Sequence, residues 1–254
     1  MDQRIASLWL IVFFAMVWLP LGQQDFMVEH WMKIGAYVAP ILLFMGFKQR
    51  AGSDARIFTD VALMACVFAA SYLCHQIEEH WVDLLGREYP LYDYLNSVIA
   101  GALGDDKYGV MTPSAIFYVN AGTVWTIALV SILAAPRHVF PVIAMAGLIL
   151  VNGVAHIIAA LVGFEYNSGL ATSIVLFVPL SVLFFRALLA SGQASPGRIG
   201  AGILWGFGGH VFLFGGLFAA NIYGLFPVVI YYGLLIAYGA LPIVLFRPAR
   251  LAAT

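Results

Sequence analysis

From Ser71 to His80 the chain reads Ser-Tyr-Leu-Cys-His-Gln-Ile-Glu-Glu-His, which sets an imidazole and two adjacent carboxylates at the end of an otherwise apolar segment. At about 100° per residue on a helix, Glu78 falls about 60° to one side of His75 and Glu79 about 40° to the other, with Ser71 about 40° away. One face thus carries Ser71, His75, Glu78 and Glu79. Such groups bind divalent cations or exchange protons. A carboxylate in hydrocarbon costs on the order of 3 kcal/mol on insertion scales, so these residues should face a bundle interior and find partners there. Candidate partners lie in three other apolar segments: Asn152 and His156, which share a helical face, Asn120, and His210 beside Gly206, Gly208 and Gly209.

The elements that must position these residues follow from composition. Of 254 residues, 63% are hydrophobic and only 10% charged, where a soluble domain carries roughly a quarter charged residues. The chain reads as one transmembrane domain over residues 1–254, an all-α bundle. Eight apolar segments can be drawn, at about 5–21, 30–47, 57–81, 113–135, 139–163, 170–190, 199–221 and 228–246. The alternative is seven spans, with the weak second segment at the interface. The first segment reads as a retained span rather than a signal peptide, because no small-residue cleavage pattern follows Pro20 and Gly22.

Orientation follows from the cations. With both termini cytoplasmic, Arg4, Lys48, Arg50, Arg56, Arg137, Arg186, Arg198, Arg247 and Arg250 lie inside, and Lys33, Arg87 and Lys107 outside. That topology brings His75, Asn120, Asn152, His156 and His210 into the outer half of the bilayer. His210 lies near its segment's midplane and Asn120, His156 and His75 roughly 6 to 9 Å outward of theirs, at 1.5 Å per residue. With 12 Lys and Arg against 13 Asp and Glu and no basic tract, the chain is no nucleic-acid binder.

Other features have plainer readings. Leu91, Leu95, Val98, Ile99, Ala102 and Leu103 recur at helical spacing in a stretch with Tyr89, Tyr92 and Tyr94 at its start, as in an interfacial amphipathic helix that connects spans or covers an outer opening. Gly104-Asp105-Asp106-Lys107 reads as a solvated turn. Cys66 and Cys74, about 12 Å apart along a helix, cannot bridge each other. His80 and Trp81 read as a headgroup belt and His138 as a solvated histidine, while Glu29 and His30 are left open.

His75-Gln76-Ile77-Glu78-Glu79 resembles the signature of the HXXEE family of small bacterial integral membrane proteins. Asn152-Gly153-Val154-Ala155-His156 and the later Tyr166-Asn167-Ser168-Gly169-Leu170-Ala171-Thr172 resemble that family's Asn-x-x-x-His and Tyr-x-Pro-Gly blocks, with Ser168 where proline is usual. The resemblance frames roughly residues 60 to 190. It implies a bacterial inner-membrane protein with His75, Glu78, Glu79, Asn152 and His156 in one constellation, and it supplies no reaction. His75 and Glu79 are also similar to the His-x-x-x-Glu of emopamil-binding-type sterol isomerases. Ser71-x-x-x-His75 is similar to part of the ceramidase and adiponectin-receptor pattern, whose His-x-x-x-His pair this sequence lacks.

The residue types support three readings. In the first, His75, Glu79, His156 and His210 hold zinc or iron, Glu78 is the base, and Asn152 orients an imidazole or a substrate carbonyl. Ser71, Tyr72, Asn120 and Trp125 then line the pocket of a lipophilic substrate. In the second, the same residues move protons without a metal, as an isomerase or cyclase would, with Tyr72, Trp125 and Trp205 facing a cationic intermediate. The third is a proton- or metal-coupled transporter, and against it stands the inner half, where only Asp60 offers a polar step.

Overall fold

The computed structural model describes residues 3–51 and 56–245, so Arg247 and Arg250 of the charge count lie outside the described residues. The described residues form helices and turns with no strand, only an isolated antiparallel bridge between Val82 and Glu88. Apolar sequence in a membrane must satisfy its backbone internally, and a helix does this within one segment.

Nine principal helices follow one another. They are α1 (Gln3–Leu21), α2 (Asp25–Arg50), α3 (Val61–His80), α4 (Pro90–Leu103), α5 (Pro113–Ala134), α6 (Phe140–Gly163), α7 (Leu170–Ala190), α8 (Pro196–Ile222) and α9 (Val228–Ala240). Among the described residues, six are long and apolar enough to cross a membrane: α2, α3, α5, α6, α7 and α8. Shorter apolar stretches are Trp9–Leu21 of α1 and α9.

The core is an apolar interior centred on α3, α5 and α6, where Met64, Phe68, Phe117, Ile127, Ile143 and Ile149 are fully enclosed. α6 and α8 touch backbone to backbone. A Cβ added at Gly206 would lie 2.6 Å from the carbonyl carbon of Gly147, and one at Gly202 2.6 Å from Cγ2 of Ile143. Only glycine permits that approach, a common device where helices associate in lipid.

α4 is the amphipathic helix read from its spacing. It buries Ile99 and Ala100 and turns Val98 and Leu103 outward. Asn96 fastens the following connection to it: its amide nitrogen donates to the carbonyls of Tyr92 (3.1 Å) and Met111 (3.0 Å). Its Oδ1 accepts from the backbone N–H groups of Gly109 (3.1 Å) and Met111 (3.0 Å). A fully buried amide with all four hydrogen bonds made is a rigid clamp.

Two of the spanning helices loosen into π turns, Tyr118–Trp125 in α5 and Ser173–Phe177 in α7, and a third π turn ends α8. An inserted residue of this kind re-aims side chains and recurs at functional sites. Here the first presents Asn120 and Trp125 to α3, and the second sets Phe177 against His75, with ring centres 4.3 Å apart.

His138 does not stand in solvent as expected. It is buried beside the start of α6, where its Nδ1 accepts from the backbone N–H of Phe140 at 3.3 Å, because the connection from α5 folds back over it. Cys66 is buried and Cys74 half-buried, and both are free thiols.

Candidate functional site

The C-terminal ends of α3 and α6 meet the N-terminal ends of α5 and α7 at one end of the bundle, and there His75, Glu78, Glu79 and His80 of α3 are all buried. Glu79 is the hub. Its Oε1 lies 2.9 Å from Nε2 of His156, and its Oε2 lies 3.4 Å from Nε2 of His75 and 3.2 Å from Nε2 of His80. His75, Glu79 and His156 each offer a ligand atom within 4.8 Å of the others.

Donor and acceptor chemistry fixes which way these rings face. The indole N–H of Trp125 can only donate, and it gives its proton to Gln76 Oε1 at 2.9 Å. The Gln76 amide nitrogen therefore donates to Asn120 Oδ1 (3.1 Å), which leaves Asn120 Nδ2 to donate to the Ile116 carbonyl (3.0 Å) and to His80 Nε2 (3.1 Å). His80 thus presents a lone pair at Nε2.

The same logic holds for His75. The Thr172 hydroxyl has one proton and gives it to Glu78 Oε2 at 2.6 Å, so its oxygen accepts from Nδ1–H of His75 at 2.7 Å. The Nε2 of His75 then carries a lone pair, to which Asn152 Nδ2 donates at 3.1 Å. His156 gives its Nδ1 proton to Asn167 Oδ1 at 2.8 Å, while Asn167 Nδ2 donates back to the His156 carbonyl at 2.9 Å. Three imidazoles thus turn Nε2 toward one carboxylate, each with its other nitrogen or its amide partner fixing the tautomer. Amide N–H groups of Asn152 and Asn120 occupy the lone pairs of His75 and His80, whereas His156 Nε2 faces Glu79 Oε1 at 2.9 Å, a pair that repels unless a proton or a cation stands between them.

Glu78 sits outside this hub. Its Oε1 accepts from the Tyr166 hydroxyl (2.7 Å) and the Ala171 N–H (3.0 Å), and its Oε2 from the N–H (2.8 Å) and hydroxyl of Thr172. It occupies the N-terminus of α7, where free amides and the helix dipole favour an anion. Tyr166 lies in the loop between α6 and α7, and burial first, then its hydrogen bond to Glu78, push its phenol pKa upward.

Gly169, at φ +92°, ends that loop between the two key rings: a Cβ there would stand 2.7 Å from Cε1 of His75 and 2.7 Å from Cε1 of His156. No side chain fits, and an L residue would be strained in this conformation as well.

A cavity of about 300 Å³ opens from the hub. Glu79, His80, His156, Asn152, Asn120, Tyr72 and His210 face it, and Leu91 and Leu95 of α4 close it on one side. At its mouth Arg87 pairs with Asp83 at 2.6 Å and lies over the Tyr166 ring.

The structure therefore brings together His75, Glu79, His156 and Asn152 of the expected constellation. His210 stands apart from the hub. Its Nδ1 donates to the Gly206 carbonyl of its own helix at 2.9 Å, and its Nε2 reaches Asn152 Oδ1 at 3.5 Å. Ser71 turns back to donate to the Phe68 carbonyl, Trp125 acts through Gln76, and Trp205 stacks on Tyr238 away from the cavity. His80 is a correction, because it is buried against the hub with its ring on Trp31, not in a headgroup belt. Thr172, Asn167, Gln76 and Gly169 were not singled out for the site. A serine or threonine in an apolar helix bonds its own backbone by default, so residue type alone does not mark Thr172, which closes the second family-like block. Asn167 and Gly169 did stand inside the second family-like block.

The model of a family described as proteins of unknown function with an HXXEE motif matches residues 66–184, just under half of the chain. That region runs from within α3 into α7 and contains every residue of the hub. No curated protein and no solved structure matches the chain.

Proposed function

We propose that this chain is an integral membrane metalloenzyme with eight spans and cytoplasmic termini, acting on a lipophilic substrate at a site in the outer half of the bilayer. The observation that carries the reading is the convergence of the Nε2 atoms of His75, His80 and His156 on the carboxylate of Glu79. Ligands of a tetrahedral zinc with bonds of about 2.0 Å stand about 3.3 Å apart. His156 Nε2 lies 2.9 Å from Glu79 Oε1 and His75 Nε2 3.4 Å from Oε2, near that edge, and the ligand atoms of the three residues all lie within 4.8 Å of one another.

His75, Glu79 and His156 would hold the ion, zinc or iron, with His80 the nearest further nitrogen. Loading it costs the hydrogen bond from Asn152 to His75, roughly 1 kcal/mol. Bound there, a divalent cation supplies Lewis acidity, polarising a carbonyl or bringing a water's pKa toward neutrality. The chain's own residues do the rest. Thr172 and Asn167 hold His75 and His156 in the ligating tautomer, and Glu78 anchors Thr172 instead of serving as the base. Asn152, freed from His75, turns its amide to the cavity and orients a substrate oxygen.

A second reading has one observation in its favour. The 2.9 Å between His156 Nε2 and Glu79 Oε1 is a hydrogen-bond length, and a proton there gives an acid/base pair for a metal-free isomerase or cyclase. Elemental analysis of the detergent-purified protein separates the two: stoichiometric zinc or iron supports the metalloenzyme, and a metal-free protein after growth with both ions overturns it.

A further inference from the structure

The cavity reaches the lipid-facing side of the bundle as well as the hub. On α8, Leu204, Phe207 and Val211 form an outward stripe, 70%, 57% and 57% exposed, and Phe214 continues it at 40%. Phe214 also lines the cavity. On α6, Val154 and Ile158 face outward, and their neighbours Ala155 and Ala159 line the same cavity. The two helices touch at Gly147, Gly202 and Gly206 and separate beyond Asn152 and His210. From Asn152 to Ala159 is about 10 Å of rise, so the gap is a narrow wedge walled by two alanines on one side and by Leu213 and Phe214 on the other.

The charges around the cavity restrict the head of its occupant. Among the described lining residues Arg87 is the one arginine or lysine, and Asp83 neutralises it at 2.6 Å. Glu79 and Glu165 also line the cavity. In the ion-free cavity a phosphate head would meet two carboxylates and no lysine or unpaired arginine, whereas a hydroxyl or carbonyl finds Asn152, Asn167 and Ser168.

We infer that a neutral single-chain lipid, such as a long-chain alcohol, aldehyde or ester, passes sideways from the bilayer between α6 and α8 and sets its head at Glu79 and His156. A cavity of about 300 Å³ is at the small end of ligand pockets and suits the end of one chain. The chemistry performed on that head rests on the metalloenzyme reading; the passage does not.

The test is photolabelling of the full chain in phosphatidylcholine vesicles with hexadecanol carrying a diazirine beside the hydroxyl, mapped by mass spectrometry. Label is expected on Glu79 and His156, which lipid outside the bundle cannot touch, and none there would overturn the inference. The double variant Ala155→Trp with Ala159→Trp should lose that label yet keep label on outward Leu161 and Val162. Retention at Glu79 and His156 would place the passage elsewhere and sink it. Ala155→Ser with Ala159→Ser should label as the parent does, and Phe214→Ala, which widens the wedge without filling it, should label more strongly. The phosphate ester of the same alcohol should not reach the hub; equal labelling by it would defeat the neutral-head assignment. Metal content is measured on the same samples, so that absence of metal with intact labelling removes the metalloenzyme reading and leaves the passage standing.

Discussion

Thr172 accepts the Nδ1 proton of His75 at 2.7 Å while passing its own proton to Glu78, so a hydroxyl on α7 decides which nitrogen of an α3 histidine is bare. The Thr172→Val variant keeps the shape and removes both bonds. It should lower metal affinity about 10- to 100-fold, the usual cost of losing a group that orients a ligand, with Thr172→Ser restoring it. Competition titration with a chelator measures this, and unchanged affinity in Thr172→Val would show that the hydroxyl does not orient the ring.

The ligand set is tested separately. His75→Ala, Glu79→Ala and His156→Ala should each come through purification without stoichiometric metal, and His210→Ala should retain it, because the His210 ring is turned to the Gly206 carbonyl of its own helix. Metal lost only in the His210 variant would move the centre toward α8.

Gly169→Ala places a methyl group against both imidazoles and forces an L residue to φ +92°. The expected loss exceeds about 1 kcal/mol, read as a lower melting temperature in detergent together with weakened metal binding. A variant as stable and as metal-replete as the parent would contradict the packing described.

The loop after α3 should respond to acid. Asp83 lies outside the spans. Its burial raises the carboxyl pKa, but the backbone N–H and guanidinium of Arg87 and the N–H of Leu85 outweigh this and hold it below the usual value. Folding thus gains stability from Asp83 that is present above the unfolded pKa, about 3.9, and lost as pH falls through the lower folded value. Asp83→Asn should reduce stability at neutral pH and flatten its decline in acid, as seen in melting temperatures from pH 7 to 3. Parallel profiles for variant and parent would remove Asp83 as the cause.

Much of this was legible from residue spacing. The i, i+4 relation of His75 to Glu79 and of Asn152 to His156, with antiparallel helices, suffices to bring these residues to one level, and the period of Leu91, Leu95 and Ile99 suffices for α4. His80 was not legible, because a histidine before tryptophan at a helix end has the same neighbours whether it faces headgroups or a hub. Two adjacent carboxylates invite different roles, but spacing alone does not say what holds Glu78. Its partners are amides of α7, and which helix start abuts which helix end is decided by packing among distant segments. His210 lies at a suitable depth, but ring direction, set by the Gly206 carbonyl, is not encoded in depth.

The capping of α7 by Glu78 ties the centre to the order in which the chain is made. Ribosomes deliver α3 with its acidic end long before residues 166–172 exist, and until those emerge Glu78 lacks the tyrosine, amides and hydroxyl that hold it. His75, whose ring Thr172 orients, is likewise unaligned until that moment. Truncation before α7 would therefore leave a nascent bundle with an orphaned acid at its rim, and arrival of the seventh principal helix completes the hub.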